Sequence, residues 1–127
     1  MVLIKRFFGG MCLILVTLVV VGGCSTHLPG NPAYHWLNGK WYAERSWTTE
    51  LYLEVVDGNI IIGTNIQTAP DGRKGTGDVR GTVEGEKVNF EVYFPHSGNT
   101  YTYALLRKGN ALHGISSTGI ITLQKVS

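Results

Sequence analysis

Few side chains in this 127-residue chain fall into arrangements that could do chemistry. The four histidines, His27, His35, His96 and His113, show neither the i, i+2 spacing that places two ligands on one strand face nor the i, i+4 spacing of a helix face. No metal ligand set follows from them. Ser97 directly follows His96, but adjacent residues on an extended chain point to opposite faces, so the pair is not disposed as nucleophile and base. The carboxylates Glu50, Glu54, Glu84 and Glu91 fall singly, where they keep an outer face wet, and nothing pairs them for acid–base work. The segment Asp71–Asp78 (DGRKGTGD) is glycine-rich and carries the adjacent cations Arg73 and Lys74. It lacks both the Walker spacing and a following helix, so it reads as a flexible hairpin loop with a cationic rim. These residues point away from an enzyme and imply no cofactor.

The elements that carry these residues are strands. In Lys87–Phe94, Val88, Phe90, Val92 and Phe94 alternate with Asn89, Glu91 and Tyr93, the period of one buried and one wet face. Val79 and Val83 alternate with Arg80, Thr82 and Glu84, and Gly85-Glu86 joins the two runs as a two-residue hairpin. Leu51, Leu53 and Val55 form another run, turned by Asp57-Gly58-Asn59 into Ile60–Ile62. Tyr101, Tyr103 and Leu105 form a further one, turned at Gly109-Asn110 into Ala111–Ser116, and Ile120–Val126 closes the chain. With Lys40–Arg45 at the start, about eight short strands follow one another with turns every eight to twelve residues and no convincing helix. The expectation is all-β: a small antiparallel up-and-down barrel, whose closure removes exposed edges, with a two-sheet sandwich as the other arrangement. Glycines at 63, 81 and 114 suit the bends of a closed sheet.

The first 23 residues stand apart. Lys5 and Arg6 precede an uncharged apolar run centred on Met11–Val21, then Gly22, Gly23 and Cys24. This is the pattern of a secretory signal helix. Val21-Gly22-Gly23-Cys24 resembles the lipobox of bacterial lipoproteins, which implies diacylglyceryl transfer to the Cys24 thiol, cleavage before it and acylation of the new amine. An uncleaved anchor helix is the alternative, at the short limit of the roughly 17–25 residues that span a bilayer. Without those 23 residues the 127-residue chain keeps 104, with all nine acidic residues and nine of its eleven Lys and Arg. The overall charge of +2 therefore belongs to the signal and gives no indication of a nucleic-acid partner. Cys12 leaves as well, so no disulfide can form within the mature chain. The expected organisation is a signal over 1–23, a lipidated N-terminus and spacer over 24–38, and a barrel domain over 39–127. Ser25 after the cysteine implies the outer membrane in an enteric-type host, or the plasma membrane in a Gram-positive one.

Two further resemblances bear on the domain. Gly39-Lys40-Trp41, after a short hydrophobic turn at Tyr34–Leu37, is similar to the Gly-x-Trp opening of lipocalin- and avidin-like (calycin-like) barrels. There a basic residue late in the barrel often packs over the Trp, which implies Lys125 here. Ser97-Gly98-Asn99-Thr100-Tyr101, with Lys108-Gly109, resembles elements of membrane-bound c-type lysozyme inhibitors, which implies that Ser97 and Lys108 face an enzyme. The disulfide cysteines of that family are missing, and the spacing between the elements is shorter. The leading expectation is a membrane-anchored cell-envelope lipoprotein acting as a non-enzymatic binding module of unknown partner, a protein of the periplasm being one candidate. A lysozyme inhibitor and a carrier of a small apolar ligand are the alternatives; large inward residues at 88, 90, 92, 94 and 101 argue for a filled interior. In a meander, alternate connections share one end. The longer ones, with Trp47, the Thr68–Asp78 segment and Pro95–Asn99, gather opposite the tether, giving Trp47, Arg73, Lys74, His96 and Ser97 as candidate partner-binding residues.

Overall fold

The structure is a computed structural model, and residues 27–126 are described. The signal over 1–23, Cys24 and the following Ser25 lie outside the described residues. Among the described residues, no helix is long and apolar enough to cross a membrane.

Eight strands follow in order: β1 (Gly39–Glu44), β2 (Thr48–Val56), β3 (Ile60–Thr68), β4 (Lys74–Glu84), β5 (Lys87–Phe94), β6 (Asn99–Lys108), β7 (Ala111–Ser116) and β8 (Gly119–Lys125). Each pairs antiparallel with the next and β8 returns to β1, so the meander closes into a barrel. The alternation read from the sequence sets the register. Val88, Phe90, Val92 and Phe94 of β5 point inward and are buried, while Asn89, Glu91 and Tyr93 are exposed. Phe90 stacks on Tyr103 across the strand pair, with ring centroids 4.7 Å apart. The strand glycines sit where coiled neighbours come too close for a side chain: a Cβ at Gly81 would run into the Asn89 carbonyl and Phe90, and one at Gly63 into the Tyr52 carbonyl. Asp57 and Gly58 both hold positive φ, 50° and 86°, as the tight β2–β3 turn demands.

One end of the barrel is plugged. Asn31 caps a short 3₁₀ helix over Pro32–Leu37 by accepting from the Ala33 N–H, and proline sits at its start. The helix drives Leu37 fully into the core. The Trp41 indole donates to the Leu37 carbonyl at 2.9 Å, and the Val55 N–H to the Asn38 side chain at 2.8 Å. Lys125 donates to the Trp36 carbonyl at 2.6 Å and lies 5.4 Å from the Trp41 ring centre. The basic residue of the last strand thus covers the tryptophan of the first. Burial pushes the Lys125 ammonium below its usual pKa, and Arg107, stacked 4.3 Å over Trp36, adds to the shift.

Residues 29–38, within the stretch expected to be a spacer, are therefore packed onto the barrel. Pro29 and Gly30 bridge to Val56 and Gly58, and Asp57 takes hydrogen bonds from His27 at 2.9 Å and from the Leu28 N–H at 2.6 Å. The reason is geometric: a barrel end without a lid would leave Trp41 and Val55 open to water, and the proline-rich segment supplies that lid. The closing seam is thin. β1 and β8 share two residue pairs, Trp41↔Lys125 and Tyr42↔Gln124, against six between β1 and β2. Towards the far end, side chains take over: Arg45 reaches across to the Ile120 carbonyl at 3.3 Å and the Thr118 hydroxyl at 3.0 Å.

Candidate binding mouth

The opposite end is open, and four connections surround it: 45–47, 69–73, 95–98 and 117–118. Inward residues change character along the barrel axis. Near the plug they are Leu53, Val55, Ile61, Val83, Val88, Leu112 and Leu123, all buried. Towards the mouth they become Thr49, Asn65, Gln67, Tyr101 and Ser116. Polar groups taken out of water need partners, and here they find one another. The Thr49 hydroxyl donates to the Gln67 carbonyl oxygen at 3.0 Å, the Gln67 amide to the Asn65 oxygen at 3.1 Å, and the Asn65 amide to the Glu50 backbone carbonyl at 3.3 Å. Ser116 donates to the Gly119 carbonyl at 3.0 Å. Through Gln67 this layer borders a pocket of about 560 Å³, within the usual size range of small-molecule sites.

Aromatic rings form its walls. Trp47 stands at the rim, 44 % exposed, and Phe94 and Tyr101 meet at a tilt with centroids 5.5 Å apart. Tyr103 lies deeper and is buried; burial pushes its phenol above the usual pKa, while the Arg45 charge and the Gln67 amide pull the other way. Arg45 is the charged side chain of the lining. Its guanidinium spends two of its N–H groups on uncharged oxygens, and no carboxylate pairs with it among the described residues.

Two of the candidate residues chosen from the sequence, Trp47 and Ser97, line this pocket. The other three stay at the rim. Arg73 is held by Asp71 at 2.6 Å, Lys74 donates to the Thr68 hydroxyl at 3.1 Å, and His96 is exposed in the 95–98 turn. The expected long loop over Thr68–Asp78 is corrected: β3 runs to Thr68 and β4 starts at Lys74, leaving only 69–73 as the connection. Glycine concealed the strand period. Gly77 faces Val92 and Phe94, where any Cβ would collide, and Gly75 lies against the same Phe94 ring. The two glycines that suggested a flexible loop are the spaces that let Phe94 enter the mouth. The expectation of a filled interior is corrected for the mouth half, since Tyr101 is only partly buried and borders the pocket.

Sequence reasoning missed Arg45, Gln67, Tyr101 and Tyr103 as a group. A signal was present in β3, where Asn65 and Gln67 hold the inward positions and Ile66 an outward one. That local inversion marks a polar interior at one end. The two elements resembling lysozyme inhibitors are not brought together: Ser97 is at the mouth and Lys108 at the plugged end, separated by the ten residues of β6, roughly 30 Å of strand. Among the described residues, no three His, Cys, Asp or Glu side chains gather to hold a metal. Comparison with known proteins finds no matching family model, no matching curated protein and no matching solved structure.

Proposed function

We propose that the chain is a non-enzymatic binding module of the cell envelope, tethered by lipid on Cys24, that engages its partner at the open mouth. One observation carries this reading: the chain enters the barrel at the plugged end, through Pro29 and Gly30, while the pocket and its surrounding connections lie at the other end. Four residues separate Cys24 from Pro29, at most roughly 18 Å of extended chain, so a lipid on Cys24 holds the barrel close to the bilayer with its mouth outward. Several acyl chains at about 0.8 kcal/mol per buried CH₂ make such a tether effectively permanent. Loops on a rigid scaffold are frequent sites of recognition, and an exposed tryptophan beside cations suits a contact patch.

Two experiments test the two halves of the reading. Cys24→Ala is expected to abolish fatty-acid labelling and leave an uncleaved precursor; labelling that survives the change refutes the tether. Affinity capture from the native envelope is expected to weaken with Trp47→Ala plus Lys74→Ala and to be indifferent to Asn59→Ala plus Glu86→Ala at the plugged end. The reverse pattern refutes the polarity. A second reading, a carrier of a small ligand, is favoured by the 560 Å³ mouth pocket. Native mass spectrometry after mild extraction tests it, since a carrier retains its cargo.

A further inference from the structure

We propose that the mouth pocket takes a small, planar aromatic anion, with the negative group on Arg45 and the ring among Trp47, Phe94, Tyr101 and Tyr103. The inference rests on the reading that the mouth is the binding end, and it names the chemistry that the mouth selects. Three features carry it. The first is charge: among the described residues Arg45 donates only to a backbone carbonyl and a hydroxyl, no carboxylate pairs with it, and no acidic side chain lines the pocket. A guanidinium with donors to spare at the edge of an apolar cavity is a receptor for a bidentate oxyanion. The second is shape. Aromatic side chains close the walls, and rings favour offset and edge-to-face partners over flexible chains.

The third feature is depth. Below the pocket the barrel is occupied by the Thr49–Gln67–Asn65 relay, and beneath that by fully buried Leu51, Ile61 and Trp41. A long alkyl chain would meet amides and hydroxyls before its length was buried, at the cost of their desolvation. A short flat molecule instead keeps its faces on the rings and turns a polar edge to Gln67 and the Tyr103 hydroxyl.

The test titrates the folded domain with four probes and follows backbone amide shifts and calorimetric affinity: indole-3-acetate, its neutral amide, phenyl phosphate and octanoate. Indole-3-acetate is expected to bind at least tenfold more tightly than the amide or octanoate, with shifts confined to residues 45–47, 94–103 and 118. Arg45→Met should bring the acid down to near the amide's affinity while changing the amide far less, and Arg45→Lys should fall between. Raising the salt concentration should weaken the anionic probes and leave the neutral amide unchanged, an arm that needs no variant should Arg45→Met disturb the seam. Binding of phenyl phosphate at or above the strength of the acid supports the oxyanion site and identifies a phosphate source. Equal binding of acid and amide, octanoate as tight as the acid, or an acid affinity indifferent to Arg45→Met overturns the proposal. Absence of mouth shifts with every probe also overturns it, while envelope capture sensitive to Trp47 would leave the mouth standing as a surface for a macromolecule.

Discussion

Replacing Lys125 with methionine removes the cation that covers Trp41 while keeping an unbranched side chain of similar reach. Two favourable contacts disappear. The charged hydrogen bond to the Trp36 carbonyl, 2.6 Å long, belongs to a class worth about 1.5–3 kcal/mol, and its loss leaves that carbonyl without its donor. The ammonium also sits 5.4 Å from the Trp41 ring centre, an interaction of roughly 0.5–2 kcal/mol. Against these stands the cost of burying the charge, visible in the lowered pKa that burial and then Arg107 impose. Relief of that cost and the apolar contacts of methionine return part of the loss, leaving a net destabilisation of about 2 kcal/mol. For a domain of about a hundred residues this corresponds to a fall in Tm of roughly 10 °C. Differential scanning calorimetry at neutral pH measures it, with Lys125→Arg expected to recover most of the difference. A Lys125→Met domain melting within about 2 °C of the wild type would show that Trp41 and Leu37 hold the plug unaided, and that the lysine merely covers it.

Three further outcomes follow from the same packing. Phe90→Ala should cost about 3–5 kcal/mol in urea unfolding, because the ring is buried and stacked on Tyr103, whereas Glu91→Ala on the outer face should stay within about 0.5 kcal/mol; equal effects would mean a wrong register. Gly81→Ala should destabilise by about 1–3 kcal/mol although alanine is the better residue elsewhere, since its Cβ has no room against Asn89 and Phe90; a neutral result would show that β4 and β5 part easily. Asp57 is held below the usual carboxylate range, first by the His27 hydrogen bond and then by the Leu28 N–H. A carboxylate whose folded-state pKa is depressed stabilises the fold above its unfolded value and loses that contribution as pH falls through the folded one. The Tm gap between wild type and Asp57→Asn should therefore be present at pH 5 and begin to narrow only below about 4, as pH falls towards the depressed folded-state pKa. A gap that does not narrow at all as the pH is lowered through the acid range would count against it.

The legible part of the structure was the part written in period two. In β5 every second residue is large and apolar, and the tight turns announce themselves through glycine, so strand count, register and the sharing of one end by alternate loops could all be read directly. The mouth was less legible because its inward residues do not look inward. Gly75 and Gly77 have no side chain to show a period, and Asn65 and Gln67 are polar residues in core positions whose reason is a network closed only by Thr49, sixteen residues before Asn65. The lid was missed for a related reason: the segment from Pro29 to Asn38 has no strand or helix rhythm, and its role comes from what Leu37 and Asn38 fit against, namely Trp41 and Val55. Arg45 escaped notice because it reads as the end of the Lys40–Arg45 strand run, and its partners Thr118 and Ile120 lie more than seventy residues away in sequence.

The thin seam between β1 and β8 also says something about the order in which the molecule assembles. Seven of the eight strand pairings join neighbours in sequence and can form hairpin by hairpin as the chain grows. The eighth joins residues more than eighty positions apart, and it cannot form until the last strand is made. Until then the growing sheet carries two open edges, the features that most invite one chain to pair with another. Closure then relies on very little backbone: two residue pairs, the Val126 N–H on the Lys40 carbonyl, and the reach of Arg45 and Lys125. A chain lacking the pairing of Gln124 and Lys125 would thus remain an unclosed ribbon, and residues 124–126 decide whether the sheet seals into a barrel or keeps its edges open to another chain.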